Sequence, residues 1–368
     1  MLLTSQPCLQ RQGLFTLALL LTTTISTAEI DHSQHETSGM DDHSGHTGAA
    51  ANIHHQHEKG DWMFEYRYMR MDMAGLQNGT NSIPSKDISG ALPGMPPMKD
   101  PGKDYMMAPT EMTMDMHMLM VMYGISDRVS VMLMGTYQEN SMDMIMHMPM
   151  MDMTGSMKTD GLGDALISMM DTVNENWTAS LGLSIPVGSI DERVTVTMHG
   201  SNPMSGMTTA NTNYIKAGYS MQPGSGTWDL IPSLTYAHST DRFGWGFQAN
   251  YRWRLGVNDN SYTLGNVLEA IGWGKVVFTP ALLGTAKLTV TDLDRIDGQD
   301  PELNPARSPM TDPDATGGTR ADLGFSLNGF MGEHHVLGVE LSIPVHQDLN
   351  GPQMETDWIL GLSYQLLL

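Results

Sequence analysis

From residue 61 onward, apolar and polar side chains alternate one for one. Trp62, Phe64, Tyr66 and Tyr68 interleave with Met63, Glu65, Arg67 and Met69, and a period of two separates the faces of an extended strand. The pattern returns at Val129, Val131, Leu133 and Tyr137, and again from Trp177 to Ile185. It is longest at Phe243, Trp245, Phe247, Ala249, Tyr251, Trp253 and Leu255, which alternate with Gly244, Gly246, Gln248, Asn250, Arg252 and Arg254. Any charge in these segments lies on one face. Twelve strands follow, over 62–73, 110–123, 129–148, 161–172, 177–187, 227–238, 243–256, 263–278, 281–292, 319–330, 336–345 and 357–368. Asp164 and Glu269 interrupt the fourth and eighth and leave the phase of those two open.

The connections decide the architecture. Every second one is very short: 124–127, 173–176, 239–242, 279–280 and 331–335. The alternate ones include 74–109, 188–226 and 293–318, with shorter ones at 149–160, 257–262 and 346–356. Short turns at one end and long loops at the other are the plan of an all-β protein, a transmembrane antiparallel up-and-down β-barrel of about 12 strands in the bacterial outer membrane. A β-sandwich also alternates, but its outward face is polar, which the uninterrupted apolar face at 243–255 contradicts. An even strand count brings both ends of the barrel to the periplasmic side.

Two composition zones precede the barrel. Arg11 stands before an apolar stretch from Leu14 to Ile25, and Ser26-Thr27-Ala28 supplies small residues for cleavage, so 1–28 reads as a secretory signal peptide. No apolar run of 18 residues occurs after it, which excludes helical spans in the mature chain. Removing the signal removes Cys8, the one cysteine, and with it disulfide and thiolate chemistry. Residues 29–60 hold His32, His35, His43, His46, His54, His55 and His57, half of the chain's 14 histidines, among Asp, Ser, Gly and Gln. Such a segment cannot bury a core and reads as a disordered periplasmic tail, with neutral imidazoles suited to copper, nickel or zinc. The barrel itself occupies 61–368.

Of the 368 residues, 35 are methionine. If the uncharged face meets lipid, the other lines the lumen, and on the second strand every lumen position is methionine: Met112, Met114, Met116, Met118, Met120 and Met122. The third strand adds Met132 and Met134, then Met142, Met144, Met146 and Met148, and the first adds Met63, Met69, Met71 and Met73. Pairing about the 124–127 turn sets Met120 near Met132 and Met118 near Met134. A crossing needs only about 9–11 residues, so the surplus of these two strands projects as a ribbon at the mouth. Thioether sulfur is a soft neutral ligand for Cu(I) or Ag(I). His117, His147, Asp115 and Asp143 near the same mouth offer donors for Cu(II). The principal functional reading is therefore a channel or binding barrel for copper or silver, in tolerance or efflux, with outer-membrane lipid around it and periplasmic copper-handling proteins as partners. Against it stand flexible packing of an irregular lumen and reversible oxidant scavenging.

A formal charge of −22 leaves no basic surface for a phosphate backbone, so nucleic acid is excluded as a partner. No Gly-x-Ser-x-Gly or phosphate loop is present, and a lipase-like barrel enzyme would need an activated Ser/His pair that the sequence lacks. The acidic run Asp292, Asp294, Asp297, Asp300 and Glu302 misses the spacing of a calcium loop and reads as solvated. The stretches Gly60-Asp-Trp-Met-Phe-Glu-Tyr-Arg-Tyr-Met69, Gly224-Ser-Gly-Thr-Trp-Asp-Leu230, Asp300-Pro-Glu-Leu-Asn-Pro305 and Gln347-Asp-Leu-Asn-Gly-Pro-Gln353 make the chain from Asp61 to Leu368 resemble the outer-membrane barrels named after the meta-cleavage pathway of phenol degradation. That resemblance implies a transporter, and an alternative cargo of small aromatic or hydrophobic compounds, with no catalytic residues to carry over. The His/Met tail is similar in composition to copper-resistance outer-membrane proteins. The final Leu368 departs from the aromatic residue that usually ends a barrel.

Overall fold

Alternation becomes strand only where each edge finds a partner, and in this chain the edges find one another in a ring. The computed structural model describes residues 59–90, 105–148, 151–201 and 208–368. The signal and the histidine tail, with His32, His35, His43, His46, His54, His55 and His57, lie outside the described residues. In chain order the strands are β1 (Trp62–Gly79), β2 (Asn81–Ile83), β3 (Ala108–Gly124), β4 (Val129–Met148), β5 (Met151–Leu162) and β6 (Ala165–Asn174). Then come β7 (Trp177–Ile185), β8 (Arg193–Ser201), β9 (Thr208–Lys216), β10 (Trp228–Ser239), β11 (Phe243–Leu255) and β12 (Tyr262–Thr263). The last are β13 (Val267–Thr279), β14 (Leu282–Leu293), β15 (Asp297–Gly298), β16 (Gly318–Met331) and β17 (His335–Leu367).

The wall runs β1-β3-β4-β6-β7-β10-β11-β13-β14-β16-β17 and closes back on β1, every neighbour antiparallel. An all-antiparallel ring needs an even number of passes, and β17 supplies two of them. Residues 335–349 pair with β16 and residues 349–367 with β1. The fold-back passes through Gly351 at φ 80°, a left-handed conformation that glycine adopts without strain. The two arms face each other: Leu367 N donates to His334 O at 2.9 Å, and the His335 and Tyr364 rings stack at 6.0 Å. The eleven continuous strands thus make twelve passes, in the twelve places that the alternation marks. Trp62 and Leu368 exchange backbone hydrogen bonds at the short-turn end, where the ring is sealed.

The phases left open are settled by pairing. β6 turns Leu166, Ser168 and Met170 inward and exposes Ile167 and Met169; β13 turns Glu269, Ile271, Trp273 and Lys275 inward and exposes Leu268. The hairpin of β3 and β4 pairs Met122 with Met132 and Met120 with Met134. Our expected register is therefore wrong by two residues, because the turn begins after Gly124 and reaches Arg128; a shift of two keeps every side chain on its face. The connection expected at 149–160 contains a strand instead. β5 folds back on the projecting half of β4 and then pairs with β8, which pairs with β9, so the ribbon widens into a small sheet beside the mouth. Gly155 and Gly161 mask its alternation, and Gly155 is there because a Cβ would strike Met198 Sδ at 2.5 Å and Thr197 O at 2.9 Å.

The outer surface of the wall is apolar. Leu119, Leu133, Leu181, Leu234, Trp245, Phe247, Phe325 and Ile343 are all exposed there, a belt too continuous for water and suited to lipid. Among the described residues no helix is long and apolar enough to cross a membrane; the strands do that work. Ala249 faces outward near the middle of β11, and Gln248 beside it faces the lumen. Ala249→Arg should cost about 2–4 kcal/mol of folding free energy in lipid vesicles, read from reversible denaturant unfolding. Gln248→Arg serves as the inward control, and an equal cost at both positions would argue against a lipid-facing wall.

Candidate functional site

The interior follows from three adjacent strands. Across β1, β3 and β4 the pairing stacks six tiers of inward side chains, from the short-turn end to the mouth. They are Met63-Met122-Met132, Glu65-Met120-Met134, Arg67-Met118-Thr136, Met69-Met116-Gln138, Met71-Met114-Asn140 and Met73-Met112-Met142. The unbroken methionine column of β3 is thus flanked by methionine on both sides at its two ends and by at least one polar residue in each tier between. Met63, Met122 and Met170 are buried at the lower end with Met120, Met132 and Leu367 packed on them. Met114, Met116, Met118 and Met134 remain half-buried along the wall.

The facing wall is polar. Lys287 Nζ lies 2.5 Å from Glu340 and Arg320 Nε 2.9 Å from Asp322, while within the methionine tiers Arg67 lies 2.9 Å from Glu65. Arg252 and Arg254 both pair with the fully buried Asp229, at 3.1 and 2.5 Å. Gln248 donates to Ser233 and Asn250, and Asn250 donates to Glu269 at 3.0 Å. These pairs match charge against charge inside the barrel, as burial of ions requires. Trp273 also points inward, over Gly246, where a Cβ would come within 2.4 Å of the indole. This aromatic residue faces the lumen because β13 gives its outer positions to Leu268, Ala270, Gly272 and Gly274. Two cavities straddle the walls. One, of about 310 Å³, has Met69 and Met71 on one side and Lys287, Arg320 and Glu340 on the other. The second, of about 260 Å³, sets Met132 and Met170 against Gln248, Asn250 and Arg252.

At the mouth the methionines are packed together. Met112, Met142 and Met144 are buried with Met107, Met153, Met157, Met198 and Met221, while Met146, Met148 and Met310 lie against the cluster. The upper methionines read from sequence thus border an apolar mouth core and not a water-filled bore. The loops that bring in Met221 and Met107 are held through their main chain: the Thr159 hydroxyl donates to Met221 O at 2.6 Å, and Met107 N to Arg307 O at 3.0 Å. His117 and His147 do not join them. Both stand at odd positions, which the pleat sends to the opposite face. His117 Nδ1 pairs with the Tyr66 hydroxyl at 2.7 Å among the rings of Tyr68 and Tyr137, and His147 pairs with Asp152 at 2.8 Å. Asp115 and Asp143 share that outer phase. Among the described residues no three of His, Cys, Asp and Glu converge as a metal-binding group, so the Cu(II) donor set expected at the mouth does not assemble.

No protein-family model matches the chain, and no curated protein matches it. Solved structures do. An outer-membrane channel of Pseudomonas putida F1, assigned to COG4313, superposes with a TM-score of 0.53 at 14% identity, covering 90% of this chain and 100% of that one. A deletion mutant of TodX, described as a monoaromatic hydrocarbon channel, gives 0.51 at 8% identity over 84% and 91%. The chain has the fold of an outer-membrane β-barrel. At such identities the likeness carries the fold and no more.

The barrel's mouth is pinned by one lysine without a sequence signal, since a single Lys in a long loop has no pattern to reveal it. Lys216, at the end of β9, is 2% exposed and reaches Asp191 at 2.5 Å and Asp300 at 2.7 Å. Asp300 is likewise buried; it accepts from Glu302 N at 2.9 Å, and its own backbone N–H donates to the Tyr219 hydroxyl at 3.1 Å. The Lys216 hydrogen bond holds the Asp191 carboxyl below its ordinary value of 3.8. For Lys216 burial alone lowers the pKa, but the bonds from Asp191 and Asp300 outweigh it and the net shift is upward from 10.5. The Asp191 contribution is present above pH 3.8 and lost as pH falls through its lower folded value; the Lys216 contribution is present below pH 10.5 and lost above its raised one. The latch should therefore hold across the whole neutral range. Lys216→Met strands Asp300 in the apolar mouth and should destabilise the 294–317 loop by about 3–5 kcal/mol. Faster hydrogen exchange there at pH 7, with the wall strands unchanged, is the expected readout.

Proposed function

We propose that this barrel is an outer-membrane channel for small, uncharged molecules with an aromatic or otherwise apolar body. The observation that carries the reading is the divided lumen. Both inner cavities have thioethers on one side and matched ion pairs or amides on the other. An aromatic ring gains about 0.3–1.5 kcal/mol from a sulfur near its edge, and a hydroxyl on the same molecule would find hydrogen-bond partners opposite. Arg67, Arg252, Arg254, Lys287 and Arg320 already have carboxylate partners, so they give a free anion little in exchange for its hydration. The fold shared with a monoaromatic hydrocarbon channel agrees with this cargo. Passage of copper or silver through the lumen has less support, because the histidines that were to assist lie on the outer face.

Permeation into proteoliposomes tests the reading. A neutral phenol-sized compound should enter at least about tenfold faster than an anion or a hexose of similar size, a difference of roughly 1.4 kcal/mol in barrier. Met116→Asp with Met118→Asp places charge on the apolar wall and should remove most of that preference while the barrel stays heat-modifiable on gels. Equal rates for all three solutes in the native protein would sink the proposal.

A further inference from the structure

Beneath the loops at the mouth lies a third cavity, of about 170 Å³. Its border is unlike that of the other two. Met73, Met112, Met114, Met310 and Met354 surround it, and no leucine, isoleucine, valine or phenylalanine does. The 260 Å³ cavity in the lumen, by contrast, has Leu166, Ile231 and Val267 beside its two methionines. Methionine also fills the packed core beside it; what sets this place apart is that open space remains among the thioethers.

The five thioethers come from separate parts of the chain. Met73 on β1 is the direct cross-strand partner of Met112 on β3, and Met114 follows on the same face one tier below. Met354 arrives on the second arm of β17, where it pairs with Leu76 on the other side of β1. Met310 arrives from the 294–317 loop, in the helical turn Pro309–Thr311. Pro109, Pro309 and Pro352 also border the cavity, and their fixed backbone angles limit how far the rim can relax. Neutral sulfur donors gathered on a stiff rim, without imidazole or carboxylate, select a soft monovalent ion over hard or divalent ones.

We infer that this mouth cavity is a binding site for one soft monovalent cation of the Cu(I) or Ag(I) class. The ion ties the 294–317 loop to β1, β3 and β17, and it sits in the closure of the mouth and not in the path of cargo. Asp312, which ends the turn carrying Met310 and accepts from the Tyr105 hydroxyl at 2.7 Å, and the neighbouring Asp314 give the rim a negative potential that offsets part of the ion's desolvation. The site does not depend on what passes through the lumen.

The test uses the whole barrel in detergent, titrated with Ag(I) against free methionine as competitor. Met73, Met112, Met114, Met310 and Met354 replaced together by leucine keep the volume and lose the sulfur. A control of equal count changes Met63, Met120, Met122, Met132 and Met170. Native and control proteins should retain one tight Ag(I) equivalent, and the mouth variant should bind it at least roughly tenfold more weakly. Isotope-labelled methionine methyl groups in the native barrel give a second reading that needs no folded variant. The five mouth methyls, identified by single Met→Leu changes, should shift together and saturate at one equivalent. Undiminished tight binding in a folded mouth variant, or methyl shifts no earlier at these five than elsewhere, overturns the assignment.

Discussion

The register that β3 keeps with β1 on one side and β4 on the other decides what this barrel contains. Pairing Met118 with Arg67 and Thr136 turns the whole methionine column inward, and a slip of one residue would turn it to lipid while bringing Asp115 and His117 inside. The outward set fixes that choice. Trp62, Phe64, Leu119 and Leu133 can meet lipid, whereas Glu65 and Arg67, paired with each other on the other face, would carry their charges into lipid if that face turned outward. Apolar and charged residues on opposite faces thus enforce the same register. The remaining strands inherit their phase from it through unbroken antiparallel pairing.

Much of this was legible because a membrane wall simplifies the problem. Each strand needs one face without charge, so alternation alone marks the twelve passes, even in β17, where the chain turns back with backbone continuity. Legibility fails where the constraint relaxes. β5, β8 and β9 lie beside the mouth, outside the ring, and their faces meet protein, loop and water in turn. β6 and β13 could not be phased from sequence because Asp164 and Glu269 sit among apolar neighbours. Asp164 in fact serves loop structure, accepting from Gly188 N and Ser225 Oγ, and Glu269 is one of the lumen's hydrogen-bonded acids.

The methionines were legible in count and phase and illegible in company. Alternation showed that Met112 to Met122 share a face, but whether that face bounds a bore or a core depends on what loops fold over it. Met107, Met221, Met310 and Met354 have no periodicity that would announce their approach. Only long-range pairing, such as Asn140 Nδ2 donating to Met221 O at 3.4 Å, brings them in. The histidines show the reverse error: His117 and His147 are near the methionines in sequence, and one position of offset puts them across the wall.

Methionine is an expensive choice for a strand. It lacks the branched Cβ that favours extended backbone, and its three rotatable bonds lose more freedom on burial than leucine does. Leucine would give the same apolar wall with better-defined packing. What leucine lacks is polarizability and a lone pair. Opposite a wall of ion pairs, a thioether can lie against a guanidinium, an aromatic guest or a soft ion without asking for a hydrogen bond that the membrane interior cannot supply. It also adapts its shape to whichever is present. A lumen of charged residues alone would hold water and pass ions, and one of leucine alone would close on itself. The interior instead sets flexible sulfur beside paired, fixed charge, and at the mouth the same side chain packs into a core of its own kind.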